Sequence, residues 1–235
     1  MANTFLEELG PYSSMIVPET GSAFGSLVYA NTQDLTSTAL VAVTGGIIPA
    51  NQQLQFYLAG LGEIGGGYTT GATLGQTNSL FSKGQAAKNQ VYVATHIGFE
   101  LFITGTTDPS VAMGESLASI DQVFSFGTNF SWDLTIGRGN VRTIGTLLDY
   151  PGNSGAWASV GDDPSSTGSF PVGAQNGTPG MITRKLATPI CFPPLVNVTL
   201  TASNGNAFTI LAGAGSAYFG VRAILKGALM TAPQG

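Results

Sequence analysis

The sequence predicts an all-β sandwich on three observations. Short runs rich in β-branched and aromatic residues recur along most of the chain. Clusters of Gly, Pro, Asn and Ser separate them. Their centres are often roughly 10–15 residues apart, the rhythm of antiparallel sandwiches and not of helical repeats. The chain has 235 residues, enough for one large all-β domain or two small ones.

Taken in order, Thr4–Glu7 reads as a capping box, and Gly10–Pro11 stops that helix after little more than one turn. Residues 1–22 are therefore expected to be an arm carrying a short helix with Phe5, Leu6 and Leu9 on its apolar side. The strand signals follow: SLVYA (26–30), ALVAVT (39–44), LQFYLA (54–59) and QVYVATHIGFELFIT (90–104). Asp108 as cap and Pro109 at the first helical position predict a helix over SVAMGESLASIDQVF, with Val111, Leu117, Ile120 and Phe124 on one side. A second set of strands runs through NFSWDLTI (129–136), VRTIGTLLDY (141–150), VNVTLTA (196–202), AFTILAG (207–213) and YFGVRAILKGALM (218–230). Between them, residues 150–180 are dense in turn formers and read as a loop excursion with at most one or two short strands. The expected organisation is the arm 1–22, a first sandwich 23–107, a connecting helical segment 108–127 and a second sandwich 128–235.

Charge is scarce and uneven. The chain is 43% hydrophobic but only 9% charged, against about 25% charged in an ordinary soluble domain. Such a chain has few ions with which to cover a solvated surface, which implies that neighbouring copies bury part of it. The five acids before residue 83 (Glu7, Glu8, Glu19, Asp34, Glu63) meet no Lys or Arg there, whereas residues 83–235 balance eight bases with eight acids. Arg184–Lys185 is the only adjacent basic pair, so no basic stripe is available to grip a phosphate backbone and no direct nucleic-acid binding is expected. MANTFLEELG has neither a basic nor an apolar leader segment, and no secretory signal is expected. The long uncharged run 35–62 is interrupted by Thr, Gly, Pro, Asn and Gln and does not read as a membrane helix.

The inventory for catalysis is thin. His96 is the only histidine, and any Ser-His or Cys-His machinery must pass through it. Strict alternation along 91–101 puts Val91, Val93, Thr95, Ile97, Phe99 and Leu101 on a core face, and Tyr92, Ala94, His96, Gly98 and Glu100 on the other. His96 then sits on a polar outer face beside Glu100, as a contact residue and not a catalyst. Cys191 stands alone, at the expected entry to a strand, and reads as buried filler. One His and one Cys leave no nitrogen–sulfur metal centre. Asp162–Asp163, with Asn153, offer oxygens in a spacing that matches no calcium loop. GEIGGGYTTG (62–71) lacks the spacing of a phosphate cradle and reads as a flexible turn. The Asn-x-Ser/Thr triplets at Asn129, Asn176 and Asn197 are chance matches in a Thr-rich chain. No catalytic, cofactor-binding or metal site is expected, and no enzyme activity.

Several ordered motifs carry a resemblance. Thr77, Asn78, Gly84, Asn89, Gln90, Tyr92, Val93 and Ile97 form a Thr-Asn turn, a glycine link and a step into a long apolar strand. Tyr150-Pro151-Gly152 closes a middle strand, and Val221, Arg222, Leu225 and Gly227 mark the last one. In this order they resemble the jelly-roll major capsid proteins of icosahedral, membrane-containing bacteriophages, over roughly half of the chain. The resemblance implies a jelly-roll sandwich, as two compact rolls or as one elaborated roll, that assembles through heterologous contacts into trimers or larger capsomers. It implies as partners copies of the chain itself, minor capsid or penton proteins and an internal lipid membrane, and as location the virion, after synthesis in the host cytoplasm. The N-terminal helix is then the segment that faces inward. The first rival is a carbohydrate-binding or adhesin module using Trp132 or Trp157 as a platform. A membrane β-barrel ranks third, since most strands are shorter than the roughly 9–11 residues a bilayer needs, and a jelly-roll metal enzyme ranks last.

Overall fold

The alternation of apolar and polar residues sorts the strands into two antiparallel sheets around one core. The computed structural model describes residues 29–67, 71–74, 76–104, 116–117, 120–137, 142–150, 160–162, 169–171, 183–210 and 217–231. Thirteen strands occur among them: β1 Tyr29–Val43, β2 Ile47–Ile48, β3 Gln53–Phe56, β4 Gln90–Thr104, β5 Ser116–Leu117, β6 Ser131–Ile136, β7 Arg142–Thr146, β8 Val160–Asp162, β9 Ser169–Pro171, β10 Arg184–Phe192, β11 Val198–Ser203, β12 Phe208–Thr209 and β13 Ala217–Thr231. The larger sheet has the order β1-β13-β4-β10, with β5 added to β4, and the smaller has β3-β11-β6-β7. β2 pairs with β12, and β8 with β9. The strands expected of a first and a second sandwich therefore share both sheets: β1 and β4 lie with β13 and β10, and β3 lies with β11 and β6.

The two sheets meet through aromatic side chains. Phe99 of β4 contacts Phe56 of β3 at 5.9 Å and Trp132 of β6 at 5.6 Å between ring centroids, and Trp132 meets Tyr150 edge-on at 4.9 Å. Helix α1, Ile120–Asn129, adds Phe126, which is stacked between Phe130 at 4.3 Å and Phe219 of β13 at 4.4 Å. The expected helix therefore begins later: Ser116 and Leu117 instead pair with Ile103 and Phe102 as β5, because the edge of β4 beyond β10 is open to a partner. Asp108 and Pro109, the N-terminal helix at 4–9 and the aromatic-Pro-Gly turn after Tyr150 lie outside the described residues.

β1 is one strand of 15 residues where the sequence marks two short ones. Its polar middle, Thr32–Thr38, is held from both sides. β13 pairs along its full length on one edge. On the other edge, the excursion after β3 supplies bonds from Thr38 N to Gln76 O (3.0 Å) and from Leu40 N to Gly66 O (2.7 Å). Asn78 of the Thr-Asn turn completes the seal. Its Oδ1 accepts from Thr36 N and Oγ1, and its Nδ2 donates to Asp34 O at 2.8 Å. Asn78→Ala is expected to cost about 1–3 kcal/mol, because Thr36 N is left without its acceptor. The midpoint of urea unfolding checks this, and an unchanged midpoint contradicts it.

One residue of β4 overturns the simple alternation. The pairing with β13 slips between Ala94↔Gly227 and His96↔Lys226, so Thr95 is extra, a β-bulge. Tyr92 and Ala94 before it, and Ile97, Phe99 and Leu101 after it, all belong to the main core. Val91 and Val93 are fully buried outside that core, on the other face, together with Ile224, Ala228 and Met230. The bulge brings the backbones together: a Cβ on Gly227 would lie 1.9 Å from Val93 O. The final glycine of the last-strand motif is thus a packing requirement.

Tyr57, just after β3, takes a left-handed φ of +62°, a conformation that costs a bulky residue about 1–2 kcal/mol. Burial of its ring and a bond from its N–H to Ser37 Oγ at 2.9 Å hold it there.

Candidate interaction surfaces

The outer face of the larger sheet carries its charges in cross-strand rows. Asp34, Lys226, His96 and Lys185 are register partners across β1, β13, β4 and β10. Lys226 Nζ lies 3.4 Å from Asp34 Oδ2, and Arg222 donates to Glu100 Oε2 at 3.2 Å two rows further along, past Ile224 and Gly98. His96 Nδ1 sits 2.9 Å from Thr95 Oγ1. Four strand residues separate His96 from Glu100, roughly 13 Å along the chain. Glu100 is engaged by Arg222, so the two do not form a proton-transfer pair.

Cys191 lies opposite Val93 near the exit of β10, not at the entry to a strand. Burial pushes its thiol up to about 11, which keeps it protonated at neutral pH and a poor nucleophile. Trp132 is fully buried in the core, so it offers no platform for a sugar. Trp157, Asn153, Asp163 and Asn176 lie outside the described residues, and Asp162 is in the short β8–β9 pair. Asn197 Oδ1 accepts from Gln85 Nε2 at 2.6 Å, and Asn129 donates to Ser125 O within the helix. Among the described residues no three His, Cys, Asp or Glu side chains come together as a metal site. No described helix is long and apolar enough to cross a membrane.

Two features have no signature in the sequence. The first is a polar hollow of about 450 Å³ at the end of the smaller sheet, lined by Asn51, Gln52, Gln53, Ser131, Ser203 and Asn204. Asn204 is committed to the fold, accepting from Gln52 N and donating to Pro49 O and Asn206 O. The second is an apolar outcrop on the excursion between β3 and β4, of which residues 62–71 alone read from their glycines as a flexible turn. Leu61, Ile64 and Leu74 are 59–69% exposed there. Glycines at positive φ (Gly62, Gly66, Gly67) let the chain fold back on itself, and bonds from Gly62 N to Ala72 O and from Ala72 N to Glu63 O fix the arms of the loop. Glu63 accepts from Gly60 N–H and from Ser82 Oγ, which holds its carboxyl below the usual range.

The outer edge of β10 carries the exposed Arg184 and Lys185, then a bulge, then Pro189. These are devices that discourage strand addition, as the excursion does for β1. Arg184 is further tied down over the Tyr150 ring at 4.8 Å and by a bond to Asp149 O at 3.1 Å.

No family model, no curated protein and no solved structure matches this chain.

Proposed function

We propose that this chain is a structural shell protein, a single eight-stranded jelly roll whose copies assemble into capsomers of an icosahedral phage capsid. The observation that carries the reading is strand order. Numbered in sequence, the eight principal strands (β1, β3, β4, β6, β7, β10, β11, β13) have the orders 1-8-3-6 and 2-7-4-5 in the two sheets. That is the arrangement in which paired Greek keys wrap a sandwich. It favours the one-roll form of the expectation over the two-roll form. The fold alone does not fix function, so the capsid assignment draws on three further features. The chain is low in charge, the outer edges of the larger sheet are blocked, and apolar side chains stand out on one loop. Together they suit copies that meet through loops and faces in closed rings and not through strand edges.

Electron microscopy of the purified protein at high concentration tests this. Uniform rings or closed shells are expected, and a field of single small particles contradicts it. The uncharged hollow at Asn51–Gln53, Ser131 and Ser203 favours the second reading, a carbohydrate-binding module, because amide and hydroxyl groups suit a neutral polyhydroxyl ligand. Saturable binding on a glycan array by a protein that stays monomeric would establish that reading instead.

A further inference from the structure

We infer that the apolar outcrop on the β3–β4 excursion is the contact at a rotation axis of a homo-oligomer, where Leu61, Ile64 and Leu74 of one copy meet the same residues of another. The inference rests on the shell-protein reading and names the surface that reading requires. Six large hydrophobic residues are exposed among the described residues, and five of them (Leu61, Ile64, Leu74, Leu80, Leu195) belong to this excursion or to the segment bonded to it. A Cβ on Gly60 would touch Phe81 O, which places the Leu61 arm against the Leu80 arm, and Leu195 N donates to Ala86 O at 3.1 Å. Single exposed hydrophobics are ordinary, but Leu61, Ile64 and Leu74 stand on two arms of one loop bonded at Gly62 and Ala72, the setting of an interaction site.

Charge and inventory choose the occupant. The outcrop holds the ionised Glu63 beside Lys83, with Lys88 further along, so it carries both signs and little net field. An anionic lipid surface or a polyanion would call for clustered bases, which are missing here. A second copy fits, since the carboxylate of one finds the lysines of the other. The remaining exposed hydrophobic, Ile47, stands apart on β2, so among the described residues the apolar surface able to match the outcrop is the outcrop itself. In a ring the same residue of every copy meets its equivalents where the rotation axis passes, while the flanks of neighbouring copies make the heterologous contacts.

The test uses the full chain. Ile64→Lys with Leu74→Lys is expected to reduce the native mass to that of the 24.1 kDa chain, with the circular dichroism and melting temperature of the parent, while Ile47→Lys leaves assembly intact. In a Cys191→Ser background, Ile64→Cys is expected to cross-link copies under mild oxidant. If the double variant assembles as the parent does, or Ile64→Cys does not cross-link in an assembled sample, the axis contact is wrong and the shell reading stands. Loss of liposome binding in a double variant that still assembles also overturns it. A parent protein that is monomeric at high concentration removes the shell reading as well.

Discussion

Gly227→Ala is expected to abolish stable folding. Its Cβ would sit 1.9 Å from Val93 O and 2.9 Å from Ala94 Cα, and both are backbone atoms of the central strand β4. No rotamer change relieves such a contact. β13 must move away from β4, which opens a pairing that runs from Gln90 to Thr104 in the larger sheet and the packing of Leu225 and Leu229 behind it. Overpacking in a core costs about 1–3 kcal/mol when side chains give way. Here only backbone can, so a loss of at least about 4 kcal/mol is expected, a large part of the stability of an ordinary domain. Gly205→Ala is the control, since nothing lies within 4 Å of the added atom. Urea unfolding of both variants checks this, and a Gly227→Ala midpoint near the parent's would mean that the bulge at Thr95 is not as described.

The second large effect is expected in alkali. The hydroxyls of Tyr57 and Tyr92 lie on the β1–β13 pair, Tyr57 Oη 3.0 Å from both Leu35 O and Ala223 O, and Tyr92 Oη 2.7 Å from Gln33 O and 2.9 Å from Leu225 O. Burial raises both phenols far above the ordinary value near 10. Below that value both states hold the protons and the pair adds no pH dependence. Above it the unfolded chain releases two protons that the folded chain keeps, so stability falls as pH rises. The slope for two such groups is about 2.7 kcal/mol per pH unit, enough to unfold most domains within a few units. Urea titrations between pH 8 and 11.5 measure it. Tyr57→Phe is expected to halve the slope while costing about 1 kcal/mol at neutral pH. A parent protein whose stability is flat over this range would contradict the burial of both hydroxyls.

The sequence carried the strands and hid the departures from them. Alternation and turn formers marked β3, β6, β11 and β13, because burial on one face writes itself into every second residue. The bulge at Thr95 left no such mark. One extra residue shifts parity without changing composition, and its cause lies 132 positions away at Gly227. Strict alternation therefore places Val91 and Val93 on the core face, whereas the bulge turns them to the other. The polar middle of β1 resembles a loop because its partners, β13 on one edge and Gln76 and Asn78 on the other, are all distant in sequence. The helix start was misplaced for a related reason: Leu117 continues a helical pattern, yet the open edge of β4 draws it into a strand. The outcrop was invisible because exposure of Leu61, Ile64 and Leu74 follows from the path of the loop, and isolated hydrophobics among glycines look the same whether they turn inward or outward.

The most direct test of the account is the native mass of the full chain, by light scattering coupled to size exclusion in mild buffer at high concentration. The account predicts a ring or shell of at least three times the 24.1 kDa chain. A single peak at the chain mass, unchanged as concentration rises, would contradict it.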